Sequence, residues 1–144
     1  MRHLRQRYRS DCFPTCVAMI AGLSHEKALK AVHPKHKKGE RYSTSIFQGA
    51  AALKRLKLRF KPSFAPMFDD VKLSDIKHVA IIKINWRSQE RWRKNKKRFG
   101  HVVVWDPKTQ MIYDPGYDRP LPRSLYERNM RWYIEILGKC KAVK

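Results

Sequence analysis

The sequence predicts an α+β domain in which N-terminal helices pack on a C-terminal antiparallel sheet. Apolar residues recur at three- and four-residue spacing as far as Leu56, which is the period of core-facing helices. From His78 onward, short Val- and Ile-rich runs take over, separated by turn residues such as Asp106-Pro107. A chain of 144 residues with a 42% hydrophobic share is expected to form one domain, spanning 1–144, with a modest core.

A first helix is expected from about Phe13 to Ala21, with Asp11 ahead of it, Pro14 in its first turn and Gly22 closing it. Ser24 caps a short second helix carrying Ala28, Leu29 and Val32, which Pro34 ends; the stretch from Pro34 to Arg41 reads as a basic loop. Ser43 or Thr44 starts a third helix whose core stripe is Ile46, Phe47, Ala50, Leu53 and Leu56. Leu58 to Phe60 reads as an extended segment and Pro62 to Pro66 as a loop. Strands are expected at His78 to Ile84, His101 to Trp105, Met111 to Tyr113 and Arg131 to Leu137, with a short helix near Arg123 to Asn129 before the last.

The charge is not ordinary: 33 Lys and Arg stand against 12 Asp and Glu, a net +21. Such an excess attracts polyanions, whether nucleic acid or an acidic protein. Trp86 to Arg98 concentrates it in Arg87, Arg91, Arg93, Lys94, Lys96, Lys97 and Arg98, with Glu90 the single acid, and reads as a basic insertion and a candidate anion-binding surface. No base-reading motif accompanies it, so nucleic-acid binding through it is expected to be non-specific. The longest apolar run, Val17 to Leu23, is far short of the roughly 20 residues a bilayer span needs. With no secretory pattern at the N-terminus and an odd set of three cysteines, a cytoplasmic location without a disulfide framework is the expectation. Cys12 and Cys16 lack further ligands at zinc spacing, so neither metal nor organic cofactor is expected.

The chemistry lies in four residues. Cys12 stands at the threshold of the first helix, where the positive end of the macrodipole lowers a thiol pKa and so makes a nucleophile. Cys16, one turn later among Val17, Met19 and Ile20, reads as a small buried hydrophobe. Gln6 precedes Cys12 by a short loop, and its amide N–H can join the Cys12 backbone N–H on a developing oxyanion. If Trp105 pairs with Gln110 across the turn, His101 falls directly opposite Asp114, where a carboxylate can fix the imidazole tautomer. Asp106 is the competing acid, but Asp-Pro is a turn choice. His78 has no acid at hairpin distance, and His3, His25, His33 and His36 sit in polar or basic surroundings.

These residues resemble a known family. Gln6-Arg7-Tyr8-Arg9-Ser10-Asp11-Cys12, followed by Cys16-Val17-Ala18-Met19-Ile20, is similar to the opening of the bacteriocin-processing peptidases, papain-like domains that cut leader peptides after a double glycine. The resemblance continues through Ser43 to Leu58, resumes at His101-Val102-Val103-Val104 and Ile112-Tyr113-Asp114-Pro115-Gly116, and reaches Ser124 to Glu127. It implies a papain-like fold with Cys12 as nucleophile, His101 as base, Asp114 as orienting acid and Gln6 in the oxyanion hole. The family usually carries Gly directly after the nucleophile. Phe13 stands there instead, a bulky ring that would narrow the cleft beside the thiol. A double-glycine leader does not follow, because the stretch before His101 is unusually basic.

The expected function is therefore a cysteine peptidase acting on a peptide or protein, with acidic substrates favoured by the charge. The alternative is a catalytically weak or inactive papain-like scaffold that binds nucleic acid or an acidic protein through its basic surface. Transfer of the acyl group to an amine rather than water remains open.

Overall fold

The computed structural model describes residues 1–8, 10–40, 42–63, 72–85 and 100–140. The basic segment carrying Arg87, Arg91, Arg93, Lys94, Lys96, Lys97 and Arg98 lies outside them. Helix α1 (Cys12–Ala21) begins one residue earlier than the apolar run suggests and ends on Gly22, whose left-handed φ of 67° closes it as expected. Helix α2 (His25–Val32) is capped by Ser24, whose Oγ accepts the Lys27 N–H at 3.2 Å. Helix α3 (Ile46–Arg55) starts after Ser45 rather than Ser43 or Thr44, because only Ser45 can close a reciprocal capping box with Gln48.

The buried face of α3 also differs from the expected stripe. Gly49, Ala52 and Leu53 are buried, with Ile46 and Leu56 partly so, whereas Phe47 is 78% exposed. The reason is a close approach. The Phe13 ring of α1, only 3% exposed, lies directly on the backbone of Gly49, where any Cβ would run into it. That contact sets the roll of α3 and turns Phe47 outward.

Six strands follow: β1 (Leu58–Ser63), β2 (Ala80–Asn85), β3 (Gly100–Asp106), β4 (Met111–Tyr113), β5 (Leu121–Pro122) and β6 (Met130–Lys139). They form one antiparallel sheet in the order β1-β6-β2-β3-β4-β5. Pro62, expected in a loop, pairs with Ile134 inside β1; the edge position tolerates a residue without an N–H donor. Residues 123–129 form two 3-10 turns, Arg123–Leu125 and Glu127–Asn129, instead of one helix.

Alternation along the central strands divides the core. Ile81, Val102, Val104, Tyr113, Ile134 and Ile136 face the helices and meet Phe13, Cys16, Val17 and Leu53. Ile82, Ile84, Val103, Trp105 and Ile112 fill the other face, which Leu73, Ile76, Tyr126 and Met130 cover. The sheet is thus packed on both sides, which explains why β2 and β3 read as near-continuous apolar runs.

Gly49→Ala is expected to destabilise the protein, although replacing glycine within a helix ordinarily gains about 0.5–1 kcal/mol. Overpacking against the Phe13 ring costs about 1–3 kcal/mol and decides the sign. Urea denaturation measures it; an increase in stability would mean that the ring does not occupy that place.

Candidate active site

Cys12 is the first residue of α1, and the chain before it is fastened at several points. Asp11 is buried and accepts from Arg7 N at 3.2 Å and Arg7 Nε at 3.4 Å through Oδ2, and from Tyr42 Oη at 2.7 Å through Oδ1. Its carbonyl accepts the Thr15 N–H at 3.0 Å and hydroxyl at 2.7 Å. The Tyr8 carbonyl takes both the Asp11 N–H, at 3.1 Å, and Gln6 Nε2, at 2.9 Å. The Gln6 backbone N–H donates to Pro115 O at 2.7 Å, and His3 Nε2 bonds Tyr117 O at 2.8 Å, so the same segment is laid against the loop that follows β4.

That loop carries Asp114. Its buried carboxylate accepts His101 Nε2 at 2.6 Å and the Gly116 N–H at 2.8 Å on Oδ1, and the Tyr126 hydroxyl at 2.6 Å on Oδ2. The hairpin register behind this pair is not the expected one. Trp105 pairs with Ile112 and Asp106 with Met111, a shift of two residues from a Trp105–Gln110 pairing. Gln110 is drawn into the turn instead, its N–H bonded to Asp106 O at 2.9 Å and its φ at 59°. A two-residue shift preserves side-chain parity. His101 and Asp114 therefore share a face as a diagonal pair, still within side-chain reach. Asp106 is a turn residue, its Oδ1 accepting the Lys108 N–H at 3.0 Å.

Because Nε2 of His101 is taken by Asp114, the other ring nitrogen is the one left for the thiol, and the Cys12 and His101 side chains act on one another's titration. Cys12, His101 and Asp114 are thus electrostatically linked. Burial alone would raise the Cys12 thiol. The bond to His101, the positive charge of that ring, the Val102 N–H and the Lys83 ammonium reverse the direction, and the thiol ends below its ordinary value. Burial would likewise depress His101, but the hydrogen bonds to Asp114 and Cys12 and their negative charges raise it to about 9. Asp114, pushed upward by burial, is brought below the usual carboxylate range by His101, then Tyr126 and Gly116. The arrangement favours a thiolate–imidazolium pair.

Cys16 is a different thiol. It is fully buried, donates to Val102 O at 3.5 Å, and is held well above its ordinary value by burial, then by the Cys12 and Asp114 charges. The Phe13 ring lies in the core between α1 and α3. No acid accompanies His78 at hairpin distance, but a strand remote in sequence supplies one: Nδ1 lies 2.8 Å from Glu135 Oε2, because β6 inserts beside β2. That pair is on the surface, away from the thiol's partners. Among the described residues, no three His, Cys, Asp and Glu side chains converge as a metal site, and no helix is long and apolar enough to cross a membrane.

Sequence reasoning passed over Tyr126, Gly116 and Lys83. Nothing local marks Tyr126, which lies in an irregular segment. Gly116 is legible only as part of Asp-Pro-Gly; a Cβ there would press to 3.2 Å from Asp114 Oδ1. Lys83 did carry a signal, as a lone charge within Ile81-Ile82-Lys83-Ile84.

Sequence comparison matches the chain to no protein family and to no curated relative. In three dimensions it is similar to the peptidase domain of ComA from Streptococcus, a bifunctional ABC transporter involved in a quorum-sensing pathway. The two are 14% identical, with a TM-score of 0.55 over 96% of this chain and 98% of that one. At that identity the likeness is one of fold, and the fold is the papain-like α+β arrangement of such a peptidase domain.

Tyr126→Phe removes a donor from a buried carboxylate, and should cost about 1.5–3 kcal/mol at neutral pH. The depressed Asp114 contributes stability above its unfolded pKa and loses it as pH falls through the folded one. The deficit of the variant should therefore shrink in acid. Urea melts at neutral and strongly acidic pH give the comparison; an equal deficit at both would remove the carboxylate from the explanation.

Proposed function

We propose that this chain, which has the fold of a papain-like peptidase domain, is a cysteine peptidase with Cys12 as nucleophile. The observation that supports the proposal is the His101 ring bonded to the buried Asp114 at 2.6 Å, with a helix-start thiol whose pKa that ring lowers. The thiolate attacks the scissile carbonyl carbon and pushes its electron pair onto the oxygen. In this reading the Cys12 backbone N–H and the Gln6 amide take up that oxyanion; the amide, bonded to the Tyr8 carbonyl through one N–H, has a second N–H to offer. His101, as imidazolium, protonates the departing amine. Water then attacks the thioester, His101 accepts its proton, and the thiolate is released. Asp114 keeps the ring oriented throughout and never needs to be protonated. No metal or organic cofactor enters these steps.

In this reading 1–144 is one domain, and the basic residues from 86 to 98 are an insertion joining β2 to the strand that begins beside His101. A net charge of +21 favours peptides or proteins with acidic segments as substrates through long-range attraction.

At neutral pH, iodoacetamide should label Cys12 far faster than exposed Cys140 or buried Cys16, and Cys12→Ala should abolish peptide hydrolysis while circular dichroism shows the fold retained. Equal, slow labelling of all three thiols would count decisively against an activated site. The pH profile of kcat/KM for a peptide substrate should be bell-shaped. It rises as pH climbs through the lowered Cys12 value and falls through about 9, where His101 loses the proton it must donate. An activity that keeps rising above that pH would exclude the imidazolium from the acid role.

A further inference from the structure

Lys83 is an ammonium where a central strand ought to be apolar. Strand β2 lies between β6 and β3, and its other described side chains up to Ile84 are all aliphatic. Ala80, Ile82 and Ile84 enter the far-side core, while Ile81 and Lys83 turn toward the helices. Directly across from Lys83 stand Val102 on β3 and Trp132 on β6. Val102 lies under the first turns of α1: its carbonyl accepts from Cys16 at 3.5 Å, and its N–H helps to lower the Cys12 thiol one turn earlier. A half-buried ammonium is costly unless something compensates it. Among the described residues no carboxylate lies within ion-pair distance of Lys83; the anion it meets is the Cys12 thiolate.

We propose that Lys83 is a positioning residue of the thiol site, set beside Val102 so that its fixed positive charge holds Cys12 as a thiolate. This rests on Cys12 being the nucleophile. Among the described residues, the charged groups that act on the sulfur are His101 from β3 and Lys83 from β2; Cys16 stands one turn further along α1, and Asp11 directly before the thiol has its carboxylate taken by Arg7 and Tyr42. Asp114 already balances the His101 imidazolium, and Cys16 is held neutral by its burial. Lys83 therefore supplies the cation that no described carboxylate cancels. Burial lowers its own pKa and the thiolate works against that change. The attraction is mutual, as it must be for a pair that stabilises one another's charged forms.

The test uses the full chain and needs no substrate. The rate of Cys12 alkylation by iodoacetamide is followed against pH by mass spectrometry, in wild type, Lys83→Met and Lys83→Arg. In Lys83→Met, which keeps an unbranched stem of similar bulk, the midpoint should rise by about half a unit to one unit, the low end for loss of a nearby unit charge. Alkylation in mild acid should fall roughly three- to tenfold with it. Lys83→Arg should keep the wild-type midpoint, because the charge is retained. Should Lys83→Met not fold, Lys83→Gln is the second neutral variant, with circular dichroism as the check. A low wild-type midpoint that neither neutral variant moves overturns this inference alone and leaves Lys83 a packing residue. An ordinary thiol midpoint in wild type overturns both it and the activated nucleophile it rests on.

Discussion

A carboxylate taken out of water must be surrounded by donors or else give up its charge. Asp114 satisfies that demand with the His101 ring, the Gly116 N–H and the Tyr126 hydroxyl, all within 2.8 Å. Each donor belongs to a different part of the fold: the mouth of β3, the loop after β4, and the irregular segment before β6. The buried charge thereby fixes the His101 ring in one orientation and one protonation bias. From there the effect passes outward, since a ring raised to about 9 remains cationic at neutral pH and lowers the thiol beside it. Without Asp114 the same histidine, pulled down by its own burial, would have only the Cys12 thiolate to favour its proton.

The thiol end is built from the same residues that hold the domain together. Asp11 caps nothing with its side chain; it uses both oxygens to tie the loop ahead of α1 to Arg7 and Tyr42. Phe13, which follows the thiol directly, is the wedge between α1 and α3 and depends on Gly49 having no side chain. The backbone of Val102 then receives Cys16 on its carbonyl, which seats the start of the helix against β3. Changes that loosen helix packing would therefore displace the sulfur as well. Stability and reactivity are not separable at this corner of the molecule.

Much of this was legible from the chain and some of it was not. The helix ends announced themselves through Gly22 and Ser24, and the strands through their β-branched runs, because those signals act between near neighbours. The hairpin shows both reach and limit. Its register was misplaced by two residues, since Gln110 was drawn into the turn by Asp106, yet His101 and Asp114 remained on one face because strand parity repeats every two residues. The α3 stripe failed for the opposite reason: periodicity sees only that Phe47 is apolar, not that a ring from another helix has claimed the place at Gly49. Tyr126 and Lys83 were missed because their significance lies wholly in residues far away along the chain.

The sequence by itself determined the kinds of element, their order, and which side chains could do chemistry: a thiol at a helix start, an imidazole at a strand mouth, a carboxylate past the next strand. These follow from spacing and local propensity. Tertiary structure alone decided who stands beside whom. β6, the last strand to be made, inserts between β1 and β2, which puts Glu135 beside His78 and Trp132 beside Lys83. The segment ahead of β6 likewise sets the Tyr126 hydroxyl on Asp114. Strand order is settled by the burial of two apolar faces at once, a property of the whole sheet that no single stretch of residues carries.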